Sequence, residues 1–197
     1  MPRLSVLLCT IICTVVLSAA CSAPPQKEID RAQQAIDAAR AAGAERYAPE
    51  AYATATAALQ QSHEAVEQRD YRLALSRAVD ASDRAQEAEQ AAAENKTRAR
   101  SASEAAVNGA NAALRQLQAR LKLAEEARVP PRELAPARRT AKDAEAALQK
   151  ARTLLSSGDY GGARTAVSGL DEQIRSENRV VEAATTLRTA RRVPRKR

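Results

Sequence analysis

Residues 71–128 read YRLALSRAVDASDRAQEAEQAAAENKTRARSASEAAVNGANAALRQLQARLKLAEEAR, and whether this run is one helix or two decides the architecture. Ala78, Ala85, Ala92, Ala99, Ala106 and Ala113 recur seven residues apart, the spacing of a coiled-coil-like seam built from small side chains. Against continuity, the companion positions carry Glu89 and Lys96, and residues 94–100 are polar apart from Ala99. Ser101-Ala102-Ser103-Glu104 also has the layout of a capping box, which suits the start of a new helix. A continuous but locally weak helix is the favoured expectation. A hinge near Asn95, within a polar junction over residues 95–100, is the alternative.

Outward from this run the chain repeats itself. Ala58-Leu59-Gln60 and Asp70-Tyr71 return as Ala147-Leu148-Gln149 and Asp159-Tyr160, both displaced by 89 residues. Ala78-Val79 and Ala166-Val167 continue the match with a slip of one residue, and Ala48-Pro49 aligns with Ala135-Pro136 across a gap of two. The expected fold is therefore all-α, two tandem units over residues 27–94 and 101–190, each a helix, a Pro-marked loop, a helix, an Asp-Tyr turn and a helix. In the first unit Ile29, Ala32, Ile36 and Ala39 give one apolar face to a helix over residues 26–42, which Gly43 stops. Pro49 sits where a helix begins and its missing amide proton costs nothing. That helix should run to about Gln68, and Asp70 should cap the next one. In the second unit the expectation is a helix over residues 101–128, a loop containing Val129-Pro130-Pro131, a helix to about Ser157, and a third from Tyr160 to about Ala190, ahead of Pro194.

Composition fits helices that touch through small groups. The chain has four tyrosines and no Phe or Trp, and each Ala contact buries little area, so the core is thin for the chain length. Between Pro25 and Glu94 the larger apolar side chains are Ile29, Ile36, Tyr47, Tyr52, Leu59, Val66, Tyr71, Leu73, Leu75 and Val79. Marginal stability is expected, or support from a partner or a second copy in a homo-oligomer.

The N-terminus has a different character. Met1-Pro2-Arg3 supplies a positive start, residues 4–17 an apolar run, and Leu17-Ser18-Ala19-Ala20 small residues just ahead of Cys21. The run is short for a membrane span, which needs about 20 residues, and the arrangement is that of a cleaved export signal over residues 1–20. It resembles the bacterial lipobox, with Ser18 where the pattern usually has Leu. The resemblance implies cleavage before Cys21, a thioether-linked diacylglycerol and an amide-linked acyl chain on that residue, and a short linker over residues 21–26. Ser22, rather than Asp, after the cysteine implies sorting to the outer membrane, facing the periplasm. Cys9 and Cys13 leave with the signal, so the mature chain can form no internal disulfide.

Ala48-Pro49-Glu50, Ala58-Leu59 and Arg69-Asp70-Tyr71 resemble a bacterial family catalogued only as a domain of unknown function, number 4398, over about residues 27–90 and more weakly over 115–173. The family implies an envelope location and Ala-rich helical repeats, and it supplies no catalytic residues.

The chemistry available for catalysis is sparse. His63 is the only imidazole, and one His without a second His or a cysteine cannot build the usual zinc set. Gly158 to Gly162 and Ser168-Gly169 lack the spacing of a nucleophile elbow or a phosphate loop and read as turn residues. The carboxylates alternate with Arg and Lys as in solvated helix-face pairs. No metal and no cofactor beyond the covalent lipid on Cys21 is expected, and no enzyme.

Charge is concentrated at one end. Arg188, Arg191, Arg192, Arg195, Lys196 and Arg197 stand in a ten-residue stretch without an acid; with Arg3 they account for the whole excess of 31 basic over 24 acidic side chains. A neutral body with a basic tail over residues 191–197 suits an anionic surface such as lipopolysaccharide, acidic wall polymer attached to peptidoglycan, or an acidic envelope protein. Nucleic acid is not expected, given export and the lack of stacking aromatics. The sequence thus points to a non-enzymatic lipid-anchored spacer, tether or scaffold of the cell envelope, with a helical protein-binding module as the alternative.

Overall fold

A computed structural model describes residues 23–190. The proposed signal, Cys21 and residues 191–197 lie outside the described residues. Within them the fold is all-α, with no strand. The helices are α1 (Gln26–Ala42), α2 (Ala44–Tyr47), α3 (Pro49–Glu67), α4 (Tyr71–Glu126), α5 (Pro131–Ser156), α6 (Tyr160–Ala166) and α7 (Leu170–Ala190). The packing divides into two compact units, the first ending at Lys96 and the second beginning at Thr97.

α4 is continuous, so the polar stretch at 94–100 is helical. Ser101 and Ser103 cap nothing: both are inside α4, and their hydroxyls turn back to the carbonyls of Arg98 at 3.1 Å and Ala99 at 2.7 Å. Helix propagation across a polar run needs only its own backbone bonds once packed segments on either side have nucleated it.

In the first unit α1, α3 and the early part of α4 enclose one core. Ile29, Ile36, Tyr52 and Leu59 meet Ala78, Ala81, Ala85, Ala88 and Ala92. Arg40 Nε donates to the Tyr52 hydroxyl at 2.8 Å, joining the end of α1 to the start of α3. Ser62 Oγ donates to the Ala74 carbonyl at 2.8 Å, and Asn95 Nδ2 donates to the Tyr47 carbonyl at 2.7 Å. α3 therefore runs antiparallel to α1, and α4 returns alongside. A side chain as short as Ser reaching the next helix's backbone requires close approach, which the Ala stripe permits. Leu73, Leu75 and Val79, counted by sequence among the larger apolar groups of this unit, are instead exposed. The Asp70 cap fixes the start of α4 so that Ala74 and Ala78 point inward and the larger residues flank them.

In the second unit the core is richer in large side chains: Leu117, Leu134, Leu148, Ile174 and Val181 are buried with Val107, Leu114 and Leu121. Two expectations are corrected here. The seven-residue Ala seam holds at Ala78, Ala85 and Ala92, but Ala99, Ala106 and Ala113 are only partly buried and Ser103, Val107, Ala110 and Leu114 take the inward places. Bulkier groups one position along offer more area to bury, so the stripe shifts by one residue. The last helix is also not continuous to Ala190. Gly169 has φ 77°, α6 ends at Ala166, and α7 restarts at Leu170. The break lets Val167, Leu170 and Ile174 all be buried.

Prolines behave by position. Pro49 and Pro131 each occupy the first residue of a helix, whereas Pro136, the sequence partner of Pro49, lies inside α5. The structural counterpart of Pro49 is thus Pro131. At Pro136 one backbone bond of α5 is forfeited near its start.

Candidate functional site

The two Asp-Tyr turns are built alike. Asp70 Oδ1 accepts from the Leu73 amide at 3.0 Å, and Asp159 Oδ1 accepts from the Gly162 amide at 3.1 Å, each satisfying an orphan donor of the following helix. Ahead of each aspartate the chain turns left-handed, through Arg69 at φ 60° and Gly158 at φ 79°. The amides of Asp70 and Asp159 then reach back to the carbonyls of Ala65 and Leu154 at 2.9 and 2.8 Å. This is the helix-terminating arrangement in which a left-handed residue lets the next amide cover a late carbonyl. These turns set where α4 and α6 begin, and so which residues face outward.

The second unit carries an open groove of ≈ 900 Å³ between α4 and the α6–α7 segment. Its α4 side is Ala106, Gly109 and Ala113, and its other side includes Arg164, Thr165 and Asn178. A Cβ added at Gly109 would meet nothing within 4 Å. The glycine is therefore not required by packing within the described residues, although a glycine inside a helix costs about 1 kcal/mol relative to Ala. Asn178 stands between Ile174 and Val181 on the buried face of α7; it is 7% exposed, and its buried Oδ1 has no hydrogen-bond partner among the described residues. Leaving such an acceptor unpaired costs roughly 1–3 kcal/mol. Neither residue was singled out from sequence, yet both leave a trace there: a glycine within a helical run, and an amide at an apolar period.

The sequence-selected residues fall apart in space or outside the described region. Arg188 is exposed in the last turn of α7, where a cation suits the helix C-terminus. The other five tail cations and Cys21 are not among the described residues. His63 is exposed on α3 and borders a shallow groove with Arg40, Gln60, Glu64 and Glu67; Gln60 Nε2 donates to Glu64 Oε1 at 3.0 Å. Nearby, Arg40 is held above the ordinary guanidinium pKa, first by the Tyr52 hydroxyl and then by Glu45. Among the described residues no group of three His, Cys, Asp or Glu is placed to hold a metal ion. No described helix is long and apolar enough to cross a membrane.

No family model, curated protein or solved structure matches the chain.

Proposed function

We propose that this chain is a non-enzymatic, lipid-anchored envelope protein in which Cys21 carries the anchor and the helical units act as a periplasmic spacer, tether or scaffold. The carrying observation is the N-terminal sequence: a positive start, an apolar run, small residues and then Cys21, with Ser22-Ala23-Pro24-Pro25 separating it from the first residue of α1. The likeness of the Ala-Pro-Glu and Asp-Tyr motifs to the domain of unknown function 4398 adds support for an envelope setting. More than one acyl chain is needed for stable anchoring, and a multiply acylated cysteine meets that need. The cationic tail is proposed to meet a second, anionic surface, each basic residue contributing up to about 1 kcal/mol near a charged membrane.

Intact-mass measurement of the membrane-extracted protein beside a Cys21→Ser variant, after separation of inner and outer membranes, tests the anchor. A mature mass beginning at acylated Cys21 in the outer-membrane fraction is the expected result; an unmodified soluble product refutes the reading. For the tail, co-sedimentation with isolated cell wall should be lost in a chain ending at Ala190 and should weaken steeply with salt.

A second reading, a helical protein-binding module, is favoured by the second unit's groove. Gly109 leaves its floor open, with Ala106 and Ala113 on the same wall, which suits a partner helix laid along small residues. A stoichiometric protein recovered from detergent extracts with the native chain, and lost with a Gly109→Leu variant, would favour it over the tether.

A further inference from the structure

We propose that the α3–α4 turn and the first turns of α4 form a membrane-contacting end of the first unit, with Leu73 and Leu75 seated among lipid headgroups and upper acyl segments. The inference rests on the lipid-anchor reading above. Its geometry is independent of that reading. Arg40 Nε on the Tyr52 hydroxyl closes the α1–α3 hairpin at one end, while Ser62 Oγ on the Ala74 carbonyl and Asn95 Nδ2 on the Tyr47 carbonyl orient α4. Together they bring the start of α4 to the end of the unit where α1 starts.

That end is the one a short leash holds down. From Cys21 to Gln26, the first residue of α1, a fully extended chain reaches about 18 Å. The large apolar side chains that the described part of this unit leaves exposed cluster at the same end: Leu73 at 40%, Leu75 at 41% and Val79 at 48% exposure, all in the first nine residues of α4. They flank the buried Ala74 and Ala78 on both sides. At 1.5 Å per residue Leu73 and Leu75 lie within about 6 Å of the start of α4 along its axis, close enough to that end to reach the headgroup region when it faces the bilayer.

Charge does not drive this contact. Lys27, Arg69 and Arg72 can meet lipid phosphates, but Glu28, Glu67 and Asp70 share the end, and Asp70 is engaged with the Leu73 amide. The contact is therefore apolar in origin and should be nearly independent of salt, unlike binding through the tail.

The test uses the full acylated chain, extracted in detergent and reconstituted into vesicles of phosphatidylethanolamine and phosphatidylglycerol carrying a headgroup nitroxide. Acylation blocks Cys21, so a Leu75→Cys change supplies the one thiol for an environment-sensitive fluorophore. Ala53→Cys, on an exposed position near the other end of α3, is the reference, and Leu73→Cys is a second probe should the first perturb folding by circular dichroism. Quenching at position 75 or 73 about twofold or more above that at 53, unchanged by salt, is expected. Equal quenching at all positions on a chain shown by mass to be acylated and vesicle-bound overturns the inference and leaves the anchor standing. A blue shift that needs no vesicles and grows with protein concentration also overturns it, because a second copy then covers the leucines. A chain without acylation refutes the anchor and this inference together.

Discussion

At the residue scale the left-handed positions are the sharpest features. Arg69 and Gly158 do the same job in the two units, ending a helix so that the next aspartate can cap its successor, whereas Arg128, with φ 59°, ends α4 by the same left-handed turn but is followed by Val129 and no side-chain cap. A residue with a Cβ pays about 1 kcal/mol in that conformation, whereas glycine does not. Arg69→Gly should therefore stabilise the first unit by about 1 kcal/mol, read as a rise in the thermal midpoint by circular dichroism; a fall would mean that the Arg69 side chain contributes more than its backbone costs. Gly109 is the converse case. With open space over its Cα, Gly109→Ala should stabilise the isolated protein by roughly 0.8–1 kcal/mol. A loss of stability in chemical denaturation would show that the glycine is needed for the fold, and would remove one support of the groove as a docking surface.

At the element scale, legibility in the sequence tracks how local the determinant is. The limits of α1 and α3 follow from Gly43 and Pro49 and from apolar spacing, whereas Pro131, read as part of a loop, opens α5 and Pro136 lies inside it; the repeat of Asp70-Tyr71 in Asp159-Tyr160 marks two caps that the structure contains. α2 is a single turn set between Gly43 and Pro49, with no amphipathic period of its own to reveal it. The interruption at Gly169 and the one-residue shift of the α4 stripe depend on which side chains find partners across the second unit, information that one segment's spacing does not carry. The candidate site divides likewise. Cys21 and the tail cations are plain as residue types in a row, whereas the groove needs α4 and α6–α7 brought together. The Ala stripe of α4 makes a prediction at this scale. Ala85 is fully buried against the α1–α3 hairpin, and helices packed this closely have no room for a larger group. Ala85→Leu should destabilise the first unit by about 1–3 kcal/mol, while Ala105→Leu, exposed on the same helix, should stay within about 0.5 kcal/mol of the parent. Equal effects at the two positions, measured by urea unfolding, would mean that the stripe is not the packed face.

For the molecule as a whole, two cores of unequal content share one helix. In the first, Ile36 is the largest side chain that is essentially inaccessible, and much of the rest is Ala; in the second, Leu117, Leu134, Ile174 and Val181 are all in that state. Burial at about 25 cal/mol per Å² makes the second the better stabilised. Residues 93–98 of α4 are exposed apart from a half-buried Asn95, so this stretch of the helix itself buries little apolar area. Local stability is expected to follow contact density rather than helix continuity. Ile36→Ala, which should cost about 2–5 kcal/mol, is then expected to accelerate amide hydrogen exchange over residues 26–92 while residues 107–125 and 134–151 keep their protection. Residues 93–106 would report where along α4 the protection changes. If exchange instead accelerated equally in both regions, the two cores would be one cooperative unit, and the continuous α4 backbone would have to transmit stability that its exposed middle gives no packing reason to carry.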